Sequence, residues 1–247
     1  MSAPIALLAA VSGYLLGSVP FALLVVRLFG EGESLRSTEL LIPGSEETLR
    51  TDAVSATAVR LRLGSRYGCL TSLLDMAKAA AITLAFKLGY PGMPYFLIAS
   101  GMAVVGHVWP VFHRFRGGRG QSPAIGGLFV LDWTAPLIAY PAAQFLGLVT
   151  RSRAYVGRFA PMLIAAAWLF LRFREIPYVF WGLGVFGVRV LAMRAEVRQY
   201  ARLRRAGHLR TLGDELRFLG LGSELSRKLD RLRGLALKLK QRRRRES

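Results

Sequence analysis

The sequence predicts an all-helical integral membrane protein, and its composition and the spacing of its charges lead to that fold class. Hydrophobic residues make up 53% of the 247 residues although the formal net charge is +19, and the mean hydropathy is +0.36. A soluble domain with so much charge is not normally this apolar. Uncharged stretches of membrane-spanning length recur along the chain. They predict a helical bundle, because helices satisfy their own backbone hydrogen bonds in lipid.

The first predicted transmembrane helix runs from about residue 4 to residue 29. Residues 1–26 contain no charged side chain, and this run is too long for the apolar core of a signal peptide. Further apolar segments bring the bundle to about seven transmembrane segments. Five is the alternative count, because the segments that begin at residues 123 and 159 are short for a crossing of about 20 residues. The further segments cover residues 67–86, 92–112, 123–131, 133–149, 159–171 and 176–193.

Clusters of positive charge predict the orientation of these segments. Arginines concentrate at residues 27–66, 114–119, 151–158 and from 189 onward. Both counts of crossings place these clusters on one face, which the positive-inside rule makes cytoplasmic, leaving the N-terminus outside. Two arginines in the loop 172–175 are an exception on the opposite face. We expect a multi-pass protein of the cell's inner (plasma) membrane.

The chain is predicted to divide into a transmembrane domain, residues 1–193, and a basic cytoplasmic tail, residues 194–247. The tail has 17 Lys and Arg against 6 Asp and Glu, a net charge of +11. Its leucines recur at helical spacing, which is typical of amphipathic helices that lie on anionic lipid. Nucleic acid is the rival partner for the arginines at 242–245. It is the weaker expectation, because no nucleic-acid motif is present.

A glycine- and arginine-rich loop follows one of the apolar segments, and residues 106–120 read GHVWPVFHRFRGGRG. Gly117, Gly118 and Gly120 allow the backbone to approach a ligand and to aim its N–H groups inward. Arg116 and Arg119 carry forked donors that suit phosphate oxygens. The stretch therefore predicts an anion-binding loop at a membrane surface. The alternative is a charged loop that only fixes membrane orientation.

Four polar residues inside or at the ends of predicted helices are further candidates. Asp75 and Lys78 are three residues apart on one helix face, where they either form a structural ion pair or contact the substrate. His107 either binds phosphate and takes part in acid–base chemistry, or caps a helix end. Ser18 lies two residues before Pro20, which predicts a helix kink with a freed backbone carbonyl or, alternatively, a substrate contact.

No cofactor and no metal site are predicted. The single cysteine, Cys69, excludes an internal disulfide, and it is expected to be a small packing residue. Three histidines without a cysteine pair do not suit a structural zinc site.

These stretches resemble the bacterial acyl-phosphate:glycerol-3-phosphate acyltransferases, small polytopic enzymes that make lysophosphatidic acid. The resemblance is carried by residues 14–21, by residues 59–64 and 73–78, and above all by the glycine-rich loop. It covers roughly residues 10–30 and 55–205 of the chain. Within the loop, Arg119 stands where the family has lysine.

Two of the three family motifs are eroded in this chain, which marks it as a divergent member. The family's first cytoplasmic loop has a Gly-Ser-Gly-Asn…Gly-Ala-Thr-Asn pattern, of which only Ala56 and Thr57 remain. After the last helix the family has a His-Arg-Glu-Asn-Ile-like stretch, and residues 196–203 lack its histidine. The phosphate-binding groups that the resemblance implies are therefore present on one loop and reduced on two.

The resemblance implies transfer of a fatty acyl group from acyl phosphate to glycerol 3-phosphate, giving lysophosphatidate for phospholipid synthesis. No acyl-enzyme is required, because the acyl phosphate is already activated. The alternatives are a catalytically degenerate member that binds anionic lipid or a lipid-synthesis partner, and a transporter. The expected catalytic residues are Arg119, His107 and Thr57. The expected substrate-binding residues are Gly117, Gly118, Gly120, Arg116, Arg60, Ser18, Asp75 and Lys78.

Overall fold

The computed structural model describes residues 1–30, 38–41, 48–51, 54–150 and 155–205. Within these ranges the chain forms nine α-helices, one short 3-10 helix at Val111–His113 and two short paired strands. The elements are α1 (Ala3–Gly17), α2 (Phe21–Phe29), β1 (Thr38–Leu41), β2 (Thr48–Thr51), α3 (Ala56–Leu63), α4 (Ser65–Gly89), α5 (Tyr95–Val108), α6 (Gln121–Leu131), α7 (Thr134–Val149), α8 (Val156–Phe173) and α9 (Ile176–Arg205).

Five helical stretches of the described chain are long and apolar enough to cross a membrane. They are Ala3–Phe29, Ser65–Gly89, Tyr95–His113, Val156–Phe173 and Ile176–Gln199. The helical membrane fold is therefore confirmed. The count of seven crossings is not, because α6 and α7 have only 11 and 16 residues. The segment that the sequence started at residue 159 begins earlier, and α8 reaches 18 residues.

The chain separates into two compact units, and the first of them, residues 1–38 with 51–198, contains the features described below. Helix α9 continues through the predicted domain boundary at residue 193 to Arg205. The leucine-striped part of the tail lies outside the described residues. In the order of the chain the two strands come after α2 and before α3. The sequence did not predict them.

The first membrane segment is broken, as the proline in it predicts. Helix α1 ends at Gly17 and α2 begins at Phe21, with Pro20 between them. Proline has no N–H to donate, so a helix interrupted there leaves backbone carbonyls in need of donors. The Lys78 Nζ of α4 donates to the carbonyl oxygen of Val19 at 2.7 Å. A charged side chain from a neighbouring helix therefore stabilises the break.

A seam of small residues holds α1 against α5. A Cβ placed on Gly13 would lie 2.5 Å from the carbonyl oxygen of Ala99, and one on Gly17 would overlap the backbone of Ala103. On α5, a Cβ on Gly106 would overlap the carbonyl oxygen of Tyr14. Small residues allow this close backbone approach between membrane helices. The seam brings the end of α5 beside the break in the first segment.

The carboxylate of Asp132 lies at the C-terminal end of α6, which is the end away from the glycine-rich loop. Asp132 accepts hydrogen bonds from the N–H and the hydroxyl of Thr134, at 2.9 and 2.7 Å, and its other oxygen pairs with Arg172 at 2.8 Å. Burial alone would raise the pKa of Asp132. The hydrogen bonds from Thr134 and the charge of Arg172 outweigh burial, and the pKa lies below its ordinary value.

Candidate active site

A narrow cleft lined by polar residues lies at the break between α1 and α2. Its walls come from the break itself, the middle of α4, the end of α5 and the glycine-rich loop. The lining residues are Gly17, Ser18, Val19, Pro20, Phe21, Ala22, Val54, Asp75, Lys78, His107, Pro110, Gly117 and Gly118. The structure thus brings together six of the residues that the sequence singled out, from four separate parts of the chain.

Asp75, Lys78 and His107 form a cluster of ion-paired side chains in this cleft. The Lys78 Nζ lies 2.8 Å from Asp75 Oδ1 and 3.2 Å from His107 Nδ1, and His107 Nδ1 lies 3.3 Å from the same Asp75 oxygen. The side chains of Asp75 and Lys78 are each 2% exposed, and that of His107 is 9% exposed. Charged groups buried this deeply in a membrane helix must be paired. The pairing fixes the imidazole at its Nδ1 edge.

The other edge of the imidazole faces the glycine-rich loop. A Cβ on Gly118 would overlap Nε2 of His107, and a Cβ on Gly117 would overlap the His107 carbonyl oxygen. Both loop positions therefore require glycine, because any side chain would displace the histidine or the loop. In the neutral tautomer with its proton on Nδ1, Nε2 is free of a proton and can accept one. This arrangement suits a general base held by a carboxylate.

The loop folds back onto the end of α5 through its own backbone. The N–H of Gly118 donates to the carbonyl oxygen of His107 at 3.1 Å, and that of Phe115 donates to Pro110 at 2.9 Å. Arg114 and Phe115 adopt left-handed backbone angles, with φ of 51° and 58°. The sequence predicted that the Gly118 N–H would bind phosphate. In the structure this donor is engaged within the protein, with the His107 carbonyl.

Gly120 differs from the other two glycines of the loop. It lies just before α6 with φ of 74°, and no side chain caps the start of that helix. A Cβ there would lie 2.9 Å from Val104 of α5, so the residue also packs tightly. The first N–H groups of a helix have no intrahelical partner, and the helix dipole is positive at that end. The loop therefore ends at a position that favours an anion.

Arg119 does not line the cleft. Its Nε pairs with Glu196 Oε1 of α9 at 2.7 Å, and Arg158 of α8 reaches the other oxygen of Glu196 at 3.3 Å. Behind them Arg189 of α9 is buried and donates from Nη2 to Gln121 Oε1 at 3.3 Å. Sequence reasoning assigned no role to Arg158, Arg189 or Glu196. The feature of the sequence that could have indicated such a role is the presence of arginines within otherwise apolar helices.

Three other predicted residues lie outside the cleft lining. Thr57 is in the first turn of α3, after Ser55, whose hydroxyl caps the helix by accepting from Ala58 N at 3.3 Å. Arg60 is half-buried on the same helix, and Arg116 is exposed. Their predicted roles with substrate remain predictions.

The sequence profile of the glycerol-3-phosphate acyltransferase family matches residues 7–205. A glycerol-3-phosphate acyltransferase from Rhodospirillum rubrum is 38% identical over 130 residues, which are 53% of this chain and 58% of that protein. One from Nitrobacter winogradskyi is 34% identical over 183 residues, which are 73% of this chain and 80% of that protein. The aligned part of the chain thus spans little more than half of the first relative and most of the second.

A solved structure shares the fold. The crystal structure of PlsY, an integral membrane glycerol 3-phosphate acyltransferase in its glycerol 3-phosphate form, superposes with a TM-score of 0.67 at 23% sequence identity. The match covers 81% of this chain and 93% of that one. The sequence prediction of an acyltransferase-like membrane fold agrees with these findings.

Proposed function

The chain belongs to the glycerol-3-phosphate acyltransferase family, and from that premise we propose that it transfers a fatty acyl group from acyl phosphate to glycerol 3-phosphate. The product is lysophosphatidate, and inorganic phosphate is released. The observation that carries the proposal is the buried cluster of Asp75, Lys78 and His107, whose imidazole faces the glycine-rich loop. The cluster combines a base, a carboxylate that orients it and a fixed positive charge.

In the proposed reaction the primary hydroxyl oxygen of glycerol 3-phosphate attacks the acyl carbonyl carbon of the donor. The Nε2 of His107 takes the hydroxyl proton, and Asp75 stabilises the imidazolium that forms. The bond between the acyl carbon and the phosphate oxygen then breaks. The ammonium of Lys78, fixed by Val19 and Asp75, stabilises the negative charge that develops. Ser18 is buried in the same cleft and helps to position the substrate.

The predicted phosphate contacts of the loop and of α3 are part of this proposal. Arg119 lies at the start of α6, where the helix dipole favours an anion, and Arg60 and Arg116 extend the basic surface. Thr57 is proposed to contact the acceptor from the first turn of α3. The eroded family motifs around Thr57 and Glu196 are the observation that favours the alternative, a family member that binds substrate or lipid without turnover.

An apolar groove along α5 and α9 suits the fatty acyl chain. Its volume is about 470 Å³. From α5 it is lined by Leu97, Gly101 and Val105, and from α9 by Trp181, Gly184 and Val188. Val105 lies two residues before His107, at the same end of α5 but on a different face of the helix. An acyl chain in the groove is proposed to have its activated end at the His107 end of α5.

The protein is proposed to lie in the inner (plasma) membrane with its N-terminus outside. Support comes from the basic stretches 27–66 and 114–119 and the basic C-terminal part, which the positive-inside rule places in the cytoplasm. Helices α6 and α7 form a pair, so this orientation is the same whether both or neither of them crosses. The tail is proposed to bind anionic lipid.

The proposed activity is tested with the full chain purified in detergent, acyl phosphate and isotope-labelled glycerol 3-phosphate, with lysophosphatidate measured by mass spectrometry. We expect product from wild type and from Arg174→Ala, which alters an exposed residue. We expect a loss of about 10²-fold or more in His107→Ala, the usual contribution of a general base. The Nitrobacter winogradskyi relative is assayed in parallel. Product from that enzyme and none from this chain would support the non-catalytic alternative.

A further inference from the structure

We infer that the segment between the end of α5 and the glycines of the loop is a contact surface for anionic lipid headgroups. This segment, the loop tip, comprises residues 111–116 and reads VFHRFR. None of its six residues lines the cleft at the helix break. The partner of the loop tip is therefore a membrane surface, and the contact is separate from the Asp75, Lys78 and His107 cluster.

Three apolar side chains of the loop tip are exposed. Phe112 is 62% exposed, Phe115 is 58% exposed and Val111 is 42% exposed. Single exposed apolar residues are common on protein surfaces, whereas a group of them marks an interaction site. These three occur within five consecutive residues, in a loop that is otherwise rich in charge. The group therefore indicates a surface that an apolar partner covers.

The backbone of the loop tip is a defined turn. The N–H groups of His113 and Phe115 both donate to the carbonyl oxygen of Pro110, at 3.1 and 2.9 Å. Within this turn Arg114 and Phe115 have φ of 51° and 58°, which residues other than glycine rarely adopt. The exposure of the two phenylalanines is therefore a feature of a fixed backbone conformation.

The charge of the loop tip favours an anionic surface. Arg114 and Arg116 are exposed beside the phenylalanines, and no Asp or Glu occurs from residue 76 to residue 131. Aromatic rings that enter a bilayer beside arginines leave the guanidinium groups at headgroup level. Each such positive charge is attracted by anionic lipid and gains nothing comparable from a zwitterionic surface. Rings and arginines together therefore define the partner as anionic lipid.

The position of the loop tip along the chain favours lipid over a soluble protein. The candidate membrane span that contains α5 runs from Tyr95 to His113 and so includes the first half of the loop tip. Phe115 follows two residues later, so its Cα lies at most about 7 Å from the end of that span. The headgroup region of one leaflet is about 5–7 Å thick. Lipid headgroups are therefore within reach of both rings without movement of the protein.

This contact has a consequence for the glycine-rich loop. Gly117 directly follows the loop tip and lines the cleft, so lipid contact holds this wall of the cleft at the level of the headgroups. An anionic amphiphile such as acyl phosphate partitions to the same level. That consequence rests on the proposed function, whereas the lipid contact does not. The test therefore measures the depth of the loop tip in a bilayer and requires no turnover.

A nitroxide spin label at position 113 reports this depth. His113 lies between the two phenylalanines in the sequence, so both rings stay in place when it is replaced by His113→Cys. The same chain carries Cys69→Ser, because Cys69 is the single cysteine and is exposed. The full chain is placed in nanodiscs of phosphatidylcholine or of phosphatidylglycerol. Collisions of the label with oxygen, which is apolar, and with a polar nickel chelate are measured by electron paramagnetic resonance.

We expect the ratio of oxygen to nickel collisions to be several-fold higher in phosphatidylglycerol than in phosphatidylcholine, because the anionic lipid draws the loop tip into the bilayer. Arg114→Gln should remove most of that difference. Arg174→Gln, which alters an exposed arginine of another loop, is the matched control and should keep it. Phe112→Ser combined with Phe115→Ser should move the label into water in both lipids. Phe145→Ser, on a phenylalanine of α7 that is 69% exposed, should leave its depth unchanged.

Three results would overturn the inference. A label that the nickel chelate reaches freely in both lipids would place the loop tip in water. A label shielded from both reagents in both lipids would show that protein covers the loop tip. Equal depth in the two lipids would contradict the preference for anionic lipid.

The comparison of the two lipids uses a chain with both phenylalanines intact, so it decides the matter even if the double serine variant does not fold. Lysophosphatidate formation by a chain whose loop tip lies in water would contradict this inference and leave the proposed function intact. A loop tip buried in phosphatidylglycerol without any turnover would support this inference and count against the proposed function.

Discussion

Substitution of Lys78 by methionine tests what the buried cluster does. Lys78 bonds to Asp75 at 2.8 Å and to the Val19 carbonyl at 2.7 Å. Methionine has nearly the same length, so the change removes the charge and leaves the packing. It leaves Asp75 buried with only His107 as an ionic partner, and it leaves the helix break without its donor.

The expected cost follows from the burial of the pair. The two side chains are each 2% exposed, and breaking a buried ion pair by removing one partner costs about 3–5 kcal/mol. For a chain of this size that corresponds to a fall of roughly 6–20 °C in unfolding temperature. Asp75→Leu combined with Lys78→Met removes both charges. This double variant should regain most of the lost stability, because no charge remains buried alone. It should not regain all of it, since the Val19 carbonyl loses the Lys78 donor and keeps only the N–H of Phe21 at 3.2 Å.

The assay combines thermal unfolding in detergent with lysophosphatidate formation by the same preparations. If the cluster carries the chemistry, the double variant is stable and inactive, because His107 has lost the carboxylate that orients it. A purely structural ion pair gives the opposite result, a double variant that is both stable and active. That outcome, or a Lys78→Met variant within about 2 °C of wild type, would refute the reasoning.

Three further predictions concern other parts of the molecule. Gly118→Ala should lower turnover at least about ten-fold, because the new methyl displaces the His107 imidazole. Gly89→Ala is the control. It has open space around the new Cβ and should match wild type. The pKa of Asp132 is lowered in the folded protein. Its carboxylate therefore stabilises the fold at pH values above its ordinary pKa of about 3.9. This stabilisation is lost as the pH falls through the lower pKa of the folded protein. Unfolding temperatures from pH 6 down to pH 3 should therefore fall less steeply in Asp132→Asn, and parallel curves would contradict this. Gly184→Phe should fill the apolar groove and shift donor preference toward shorter acyl chains in competition between long and short acyl phosphates, whereas an unchanged preference would place the acyl chain elsewhere.

The fold was predictable from sequence because bilayer thickness imposes a length on each apolar run. The break at Pro20 was also predictable, since proline removes a donor whatever surrounds it. The crossing count was less certain, because α6 and α7 are short and apolar length alone does not show whether such helices span.

The cleft was predictable only in part. Asp75 and Lys78 lie on one helix face, so their pairing follows from helical spacing. Their contact with His107 depends on the packing of α4 against α5, which is a tertiary feature that a single sequence does not reveal. The direction of the Arg119 side chain was not predictable from the sequence. Its neighbours Gly117 and Gly118 line the cleft, but adjacent residues of a loop point in different directions, and Arg119 turns toward Glu196.

The central claim is that acyl transfer takes place in the cleft at the break in the first membrane segment. The most direct measurement is an experimental structure of the full chain with glycerol 3-phosphate and a non-hydrolysable acyl phosphate analogue. We expect the acceptor hydroxyl within hydrogen-bond distance of His107 Nε2 and the acyl chain along the groove between α5 and α9. Both ligands bound away from His107, with the Asp75 and Lys78 cluster unchanged and out of reach, would contradict it.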